Sequence, residues 1–123
     1  MKHNKIKYIE NNLIDEIKKQ KKNTSIPFFS LDKNIVGESV NSKLNKITNY
    51  LKKNKSDYIF ISAPENVAWT LNIRGGDGPN SPIPNSRLIV SKSKKILLIS
   101  DQEKCNKLLK NKVIKKYEFL DTN

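Results

Sequence analysis

The sequence has 123 residues, of which 36% are hydrophobic and 7% aromatic. This is enough for one folded domain and argues against a wholly disordered chain. Because Cys105 is the one cysteine and His3 the one histidine, an internal disulfide and a zinc site built on Cys and His are excluded.

The chain is strongly basic, with 24 Lys and Arg against 12 Asp and Glu and a net charge of +12. Such a balance ordinarily raises nucleic acid or an anionic membrane as a partner. However, 22 of the cations are Lys and only two are Arg, and Arg is the residue that grips phosphate and guanine with two hydrogen bonds. The 16 Asn and 15 Ile favour AT-rich genome bias with a solvated lysine surface. Nucleic acid is therefore not expected as a partner, and a basic nucleic-acid-binding module stays as an alternative hypothesis.

The hydropathy pattern predicts neither membrane association nor export. No stretch of the sequence approaches the 18 apolar residues that cross a bilayer. The charged residues 1–5 are not followed by an apolar signal core. We therefore expect a cytoplasmic location.

The first thirty residues predict an entry segment, residues 1–30, ahead of a domain at residues 31–123. Helical periodicity runs weakly through residues 8–17, with apolar side chains at Ile9, Leu13, Ile14 and Ile17. Residues 18–25 contain no apolar side chain and resemble a linker or an exposed helix end. Residues 26–29, Ile-Pro-Phe-Phe, predict a short extended segment, since proline disfavours helix at the preceding residue. Three aromatic or branched residues in four indicate that this segment docks on a surface that the sequence does not identify.

An amphipathic helix is predicted close behind Gly37. Its apolar stripe consists of Val40, Leu44, Ile47 and Leu51. The lysines expected to lie away from that stripe are Lys43, Lys46, Lys52 and Lys53.

A buried strand is predicted at residues 58–61, Tyr-Ile-Phe-Ile, because the run is short and β-branched. A short helix follows, with Ser62 as N-cap, Glu65 completing a capping box and Pro64 in the first turn. That helix continues to Leu71.

The last third of the sequence predicts a hairpin, a helix and a strand. The hairpin joins residues 87–90 to residues 95–99. Ser100 and Glu103 predict a second capping box, which opens a helix through Cys105, Leu108 and Leu109. The final strand is expected at residues 112–119, with Val113, Tyr117 and Phe119 packing. This order of elements predicts an α/β fold, a mixed β-sheet flanked by helices.

Residues 74–84 form a loop rich in glycine and proline between the short helix and the hairpin. Three glycines permit unusual backbone angles and three prolines restrict the rest, so we expect a rigid excursion in which Arg74 and Asp77 pair. A phosphate-binding loop is not expected, because such glycines precede a helix and these follow one.

The segment from Ala63 to Asp77 resembles the middle domain of the three-domain Xaa-Pro aminopeptidases (aminopeptidase P). In that family a short helix with an Ala-Trp pair precedes Asn-hydrophobic-Arg-Gly-x-Asp-x-Pro and a further proline. The matching positions here are Ala68-Trp69, Asn72 to Asp77, Pro79 and Pro82. Residues 12–17 are similar to the family's connection into this domain. Residues 35–39 are similar to its hydrophobic-Gly-Glu-Ser stretch.

The resemblance implies a creatinase amino-terminal-like domain that supports removal of an N-terminal residue preceding proline. It also implies that two divalent ions, usually manganese, are held by two Asp, one His and two Glu of a "pita-bread" catalytic domain. None of those ligands can be carried onto this sequence, so we expect no catalytic and no metal-binding residue in this chain. His3 lies in a polar tail, and Cys105 beside Leu108 and Leu109 is expected to be a buried, inert thiol.

The resemblance leaves Arg74, Asp77 and Asn80 as candidates for a loop bordering the substrate entrance, with a purely structural loop as the alternative. Trp69 is expected in the core rather than as a platform for substrate. The expected partner is the catalytic pita-bread domain of the same protein, and a second copy in a homodimer is a further candidate. We expect the chain to be a fragment of a longer protein. A free-standing adaptor for a separate catalytic chain is the alternative.

Overall fold

The computed structural model describes residues 26–78 and 80–122, apart from the Lys33 side chain. The helix predicted at residues 8–17, the linker at residues 18–25 and His3 lie outside the described residues. The placement of the domain boundary near residue 30 stays a prediction.

The described residues contain four α-helices, one 3₁₀ turn and six strands. The helices are α1 (Lys33–Val36), α2 (Val40–Lys53), α3 (Pro64–Leu71) and α4 (Gln102–Lys110), with the 3₁₀ turn at Lys116–Glu118. The strands are β1 (Phe29–Ser30), β2 (Tyr58–Ile61), β3 (Ile73–Arg74), β4 (Arg87–Ser91), β5 (Ile96–Ser100) and β6 (Phe119–Asp121). None of the helices within the described ranges is long and apolar enough to cross a bilayer.

A four-stranded mixed sheet organises the domain, in the order β2-β4-β5-β6. Strands β2, β4 and β5 are mutually antiparallel, whereas β6 runs parallel to β5. A separate two-stranded ladder pairs β1 with β3. The predicted α/β class, a mixed sheet flanked by helices, is confirmed, and so is the hairpin, which is β4 and β5.

The core lies between one face of the sheet and helices α2, α3 and α4. Its buried side chains from these elements are Leu44, Val67, Leu71, Leu88, Val90, Leu98, Cys105 and Leu108. Phe28 is fully buried in the same cluster, and its backbone N–H donates to the Lys104 carbonyl at 2.8 Å. The prediction that residues 26–29 form a docked segment is confirmed, and Phe28 shows that the surface it docks on is the core.

Helix α2 confirms the predicted apolar stripe but not the predicted position of every lysine. Ser39 is the N-cap, its hydroxyl accepting from the Ser42 N–H at 3.2 Å. Lys43, expected on the solvent side, is instead buried with 2% of its surface exposed. It lies three residues after Val40 and four before Ile47, so it borders the apolar stripe.

Two predictions about residues 58–71 are also wrong, one about strand β2 and one about the start of helix α3. Strand β2 forms, but it is an edge strand and Tyr58 and Phe60 are exposed, because only its inner face packs on the core. The N-cap of α3 is Ala63, which makes no side-chain cap, rather than Ser62. Pro64 does occupy the first turn, as predicted.

Helix α4 begins one residue later than its predicted capping box. Asp101 is the N-cap, and its carboxylate accepts from the Glu103 N–H at 2.8 Å. Ser100 ends β5 and donates its hydroxyl proton to the Asn85 carbonyl at 2.8 Å. An Asp carboxylate caps a helix as well as a Ser hydroxyl does. The Ser100 hydroxyl is therefore not needed as a cap, and its hydrogen bond links the sheet to the loop before β4.

The predicted strand at residues 112–119 is wrong over most of its length. The chain first turns through Lys112, whose φ is +55°, and the Val113 N–H donates to the Leu108 carbonyl at 2.9 Å. Ile114 is buried, whereas Tyr117 is 74% exposed. The backbone therefore first forms the turn that closes the end of α4, and it joins the sheet only at Phe119.

The glycine at position 75 is required by space rather than by backbone angle. A Cβ there would lie 2.7 Å from the Phe28 ring and 2.9 Å from the Pro84 Cα. Within residues 26–78 and 80–122, the glycine with a left-handed backbone is Gly37, at φ +73°. The expectation of unusual backbone angles at the loop glycines is therefore wrong. Close packing is the reason that position 75 requires glycine.

We predict that Gly75→Ala destabilises the domain by roughly 1–3 kcal/mol, because the added methyl overpacks a fully buried aromatic ring. Gly37→Ala is the comparison variant, since its Cβ meets nothing within 4 Å and only the backbone strain of about 1 kcal/mol applies. Urea unfolding of both variants measures the two costs. A loss for Gly75→Ala no larger than that for Gly37→Ala would contradict the packing explanation.

Candidate functional site

The candidate site is the connection from β3 to β4, residues 75–86, together with the end of α3 that precedes it. Backbone hydrogen bonds close this loop on itself: Gly75 N–H donates to the Pro82 carbonyl and Asp77 N–H to the Ile83 carbonyl, each at 3.2 Å. Pro84 is buried beneath it. An irregular segment with this many internal contacts presents its exposed side chains in a defined arrangement.

Asp77 anchors the loop to helix α4. One carboxylate oxygen pairs with Lys104 Nζ at 2.5 Å, and the other accepts from the Asn85 N–H at 2.6 Å. The two charged side chains are only 15% and 22% exposed, so solvent screens this pair less than a surface ion pair. Asp77 thus joins both ends of the loop to α4.

The predicted pairing of Arg74 with Asp77 is wrong, because Arg74 turns towards the end of α3. Its guanidinium donates to the Ile73 carbonyl at 2.8 Å and to the Ala68 carbonyl at 3.3 Å. Ala68 lies in the last turn of α3, where the helix dipole favours a cation.

The three predicted entrance residues therefore share one loop but have different environments. Arg74 and Asp77 are half-buried and engaged in contacts that stabilise the loop, whereas Asn80 is exposed near its tip. A role for these residues at a substrate entrance stays a prediction. Of the three, Asn80 is the side chain most accessible to another molecule.

Trp69 is half-exposed, with 50% of its surface open to solvent, so the prediction that it lies in the core is wrong. The core face of α3 is occupied by its neighbours Val67, Ala68 and Leu71. Lys43 Nζ lies 4.4 Å from the centroid of the indole ring, within the range of a cation–π contact. The indole thus covers a buried ammonium with one part of its surface and presents the rest to solvent.

Lys43 links α2 to the end of α3. Its ammonium donates to the Asn72 side-chain oxygen at 2.5 Å and to the Trp69 carbonyl at 2.6 Å. Asn72 ends α3 in the left-handed conformation, at φ +53°, and its amide donates to the Glu38 carbonyl at 2.9 Å. Burial lowers the pKa of Lys43, an effect that the nearby Glu38 charge opposes. One ammonium therefore fixes the helix end from which the loop departs.

Sequence reasoning missed this network, although two signals for it were present. Lys43 borders an otherwise apolar stripe, and Asn72 follows a helix at a position where asparagine commonly adopts the left-handed conformation. Neither signal identifies the partner, because 29 residues separate the two side chains.

The described residues provide little for catalysis or metal binding. Residues 26–78 and 80–122 contain no group of three His, Cys, Asp or Glu side chains placed to hold a metal ion. The Cys105 thiol is 1% exposed, and burial raises its pKa to about 11. The prediction of a buried thiol is confirmed, and at neutral pH that thiol is protonated and a poor nucleophile.

We predict that Lys43→Met destabilises the domain by about 1–3 kcal/mol, because it leaves the Asn72 side-chain oxygen without its donor and removes one of the two donors to the Trp69 carbonyl. Indole fluorescence should also shift as the ammonium leaves the ring. Lys46→Met is the matched control on the same helix, since Lys46 is 65% exposed and pairs only at the surface with Glu38. Equal unfolding free energies for the two variants would contradict a structural role for the buried ammonium.

We predict that Asp77→Ala costs roughly 1–3 kcal/mol by removing a half-buried charge from its hydrogen-bonded partners, and that it exposes the loop to proteolysis. Asp57→Ala is the control, because its ion pair with Lys92 is more than half exposed on both sides and should contribute at most about 1 kcal/mol. Limited proteolysis followed by mass spectrometry locates the cleavage. Cleavage outside residues 75–86 in Asp77→Ala, or the same loss in the control, would refute the anchoring role.

Comparison with known proteins places this arrangement in a family. The family model described as Creatinase/Prolidase N-terminal domain matches residues 18–122. Xaa-Pro aminopeptidase 1 of Dictyostelium discoideum is 32% identical over 109 residues, which cover 83% of this chain. A probable Xaa-Pro aminopeptidase P of Fusarium vanettenii is 35% identical over 119 residues, or 91% of this chain.

A solved structure agrees with these sequences. An X-prolyl aminopeptidase from Caenorhabditis elegans, described as a cytosolic enzyme with a di-nuclear active site, matches 92% of this chain with a TM-score of 0.69 and 27% identity. The match spans 18% of that enzyme, and 17% and 19% of the two relatives. The chain therefore belongs to the creatinase/prolidase N-terminal domain family, in the form found in Xaa-Pro aminopeptidases.

Proposed function

We propose that this chain is the non-catalytic supporting domain of an Xaa-Pro aminopeptidase, an enzyme that removes an N-terminal residue preceding proline. The observation that carries the proposal is the family match over residues 18–122, in a chain that spans under a fifth of its relatives. The reaction, which we assign to a dinuclear metal centre with two divalent ions such as manganese, belongs to a catalytic domain outside the described residues.

The role of this domain is to position a surface next to that catalytic domain. Asp77 and Lys104 secure the loop, Arg74 secures its departure from α3, and Asn80 and the exposed part of Trp69 are free to contact a neighbour. Half-exposed aromatic side chains on a stable element are typical anchors of protein interfaces. In this arrangement the loop forms part of the rim at the substrate entrance. We further propose a cytoplasmic location and a homodimer of the parent enzyme.

A chimera tests the proposal. Residues 18–122 replace the matching segment of the Dictyostelium Xaa-Pro aminopeptidase 1, and hydrolysis of a Xaa-Pro peptide is assayed with manganese. We expect the chimera to be active and the isolated chain to be inactive. Turnover by the isolated chain, or a folded chimera without activity, would overturn the proposal.

The same chimera tests the loop. Asn80→Ala should lower kcat/KM by roughly tenfold if the loop orients substrate at the entrance, with the thermal stability unchanged because Asn80 is exposed. Lys53→Ala, exposed in the last turn of α2, serves as the control. Equal kcat/KM for the two variants would limit the loop to a structural role.

A separate catalytic chain is the main alternative to a covalently linked one. Affinity purification of the full chain distinguishes the two, since an adaptor would co-purify with a separate pita-bread protein.

The net charge of +12 keeps nucleic-acid binding as the second alternative. It requires that the chain bind duplex or single-stranded nucleic acid with an affinity that falls steeply as the salt concentration rises.

A further inference from the structure

Strand β2 forms an open edge of the four-stranded sheet. Within residues 26–78 and 80–122, its one strand neighbour is β4. The two strands pair in a regular antiparallel register over four consecutive residue pairs, from Tyr58 with Ser91 to Ile61 with Leu88. A regular strand at a sheet edge presents backbone donors and acceptors to which a further strand can bind.

The register determines which backbone groups of β2 face away from the sheet. The Lys92 N–H donates to the Asp57 carbonyl at 2.8 Å, so these two residues form a hydrogen-bonded pair of the ladder. Because such pairs alternate along antiparallel strands, Ile59 also directs its N–H and C=O towards β4. Tyr58 and Phe60 therefore direct theirs outwards, at the open edge.

This edge lacks the features that normally prevent the strands of two molecules from pairing, which are lysines, prolines, bulges and charges within the edge strand. Residues 58–61 contain none of these. No Lys or Arg occurs in residues 56–66, in a chain of net charge +12. At the opposite edge of the sheet, β6 contains Asp121 and follows Lys115 and Lys116. The edge open to pairing is therefore β2.

The exposed side chains of β2 are aromatic. Tyr58 is 69% exposed and Phe60 is 57% exposed, and both lie on the outer face of the sheet with Ile89 and Leu97. Ile59 lies on the other face and is only partly buried against the core. A strand with aromatic side chains at the facing positions would therefore stabilise this edge through side chains as well as backbone.

We propose that β2 pairs with β2 of a second copy of this chain in an antiparallel, two-fold symmetric arrangement. Tyr58 of each copy faces Phe60 of the partner subunit, and the symmetry axis passes between the two Ile59 residues. Each facing pair exchanges two hydrogen bonds through the outward groups and brings a Tyr ring beside a Phe ring on the outer face.

The strand is matched to its own copy by the spacing of its outward groups. Tyr58 and Phe60 lie symmetrically about Ile59, so a two-fold axis at Ile59 brings each of them opposite the other. The same register keeps all four aromatic side chains on one face of the joined sheets. This inference concerns the sheet edge and does not rest on the proposed function.

The size and charge of the contact predict a weak dimer. Two paired strands of this length should bury less than the roughly 1,200 Å² at which stable specific complexes begin. The two molecules also repel each other, since each carries a net charge of +12. We therefore expect self-association at about 1 mM protein that strengthens as added salt screens the repulsion.

Amide exchange of the full chain, resolved by residue with NMR, tests the proposal. We expect the Tyr58 and Phe60 amides to exchange about threefold more slowly at about 1 mM than at about 20 μM protein. The Ile59 amide is the internal reference, because it faces β4 in the monomer and should change little. Sedimentation equilibrium at both concentrations measures the ratio of monomer to dimer.

Two variants at position 60 test the backbone and the side chain of the pair. Phe60→Pro removes an N–H that faces outwards and leaves the hydrogen bonds to β4 in place, whereas Phe60→Lys adds a charge to each paired strand. Both should abolish self-association. Tyr50→Lys is the matched control, because Tyr50 is an aromatic residue of similar exposure, 61%, on helix α2. Amides of β4 and β5 report that every variant remains folded.

Stacking of two outer sheet faces is the competing mode of association. Leu97 lies on that face, two strand spacings or about 10 Å from β2. Leu97→Lys should leave the edge-to-edge dimer intact, whereas it would abolish a dimer of stacked faces.

Three results would overturn the proposal. The first is amide exchange and molecular mass that do not depend on protein concentration, which would also result if another part of the chain covered β2. The second is self-association that survives either variant at position 60 or that is lost in Tyr50→Lys. The third is self-association that is lost in Leu97→Lys, which would assign the contact to the outer face.

Discussion

The buried ammonium of Lys43 is the interaction on which the candidate site depends. A charge removed from water is tolerated only when its donors are satisfied. Here the Trp69 carbonyl, the Asn72 side chain and the indole face supply that environment. All of these partners lie at the end of α3. The hydrogen bonds of the Lys43 ammonium therefore also fix the residue at which α3 ends and β3 begins.

The loop beyond β3 is stabilised by a second set of contacts. Gly75 lies against Phe28 and Pro84 with no room for a side chain, and Asp77 reaches Lys104 across the base of the loop. The buried Phe28 side chain and helix α4 are thus both in contact with the loop. These contacts hold the exposed side chains of the loop in place, which is the property that the proposed function requires of this domain.

Much of the fold could be predicted from the sequence, because it follows from periodicity and local turn chemistry. The stripe of α2, the β4–β5 hairpin and the proline-led start of α3 all depend on residues within one element. The errors occur where two local signals compete. Ser100 and Asp101 could each cap α4, and only the sheet, which holds Ser100 in β5, decides between them. The turn that closes the end of α4 continues to Ile114 and displaces the predicted strand in a similar manner.

The sequence by itself determined the α/β class and the Ala68-Trp69 to Asp77 motif by which the family is identified, because both are patterns of neighbouring residues. Only the tertiary structure decided that Lys43 is buried, that Trp69 faces solvent and that Asp77 pairs with Lys104 rather than Arg74. Each of these depends on partners 26 to 29 residues apart. No periodicity encodes such distances, and among the lysines that the structure describes, long-range packing selects Lys43 for burial.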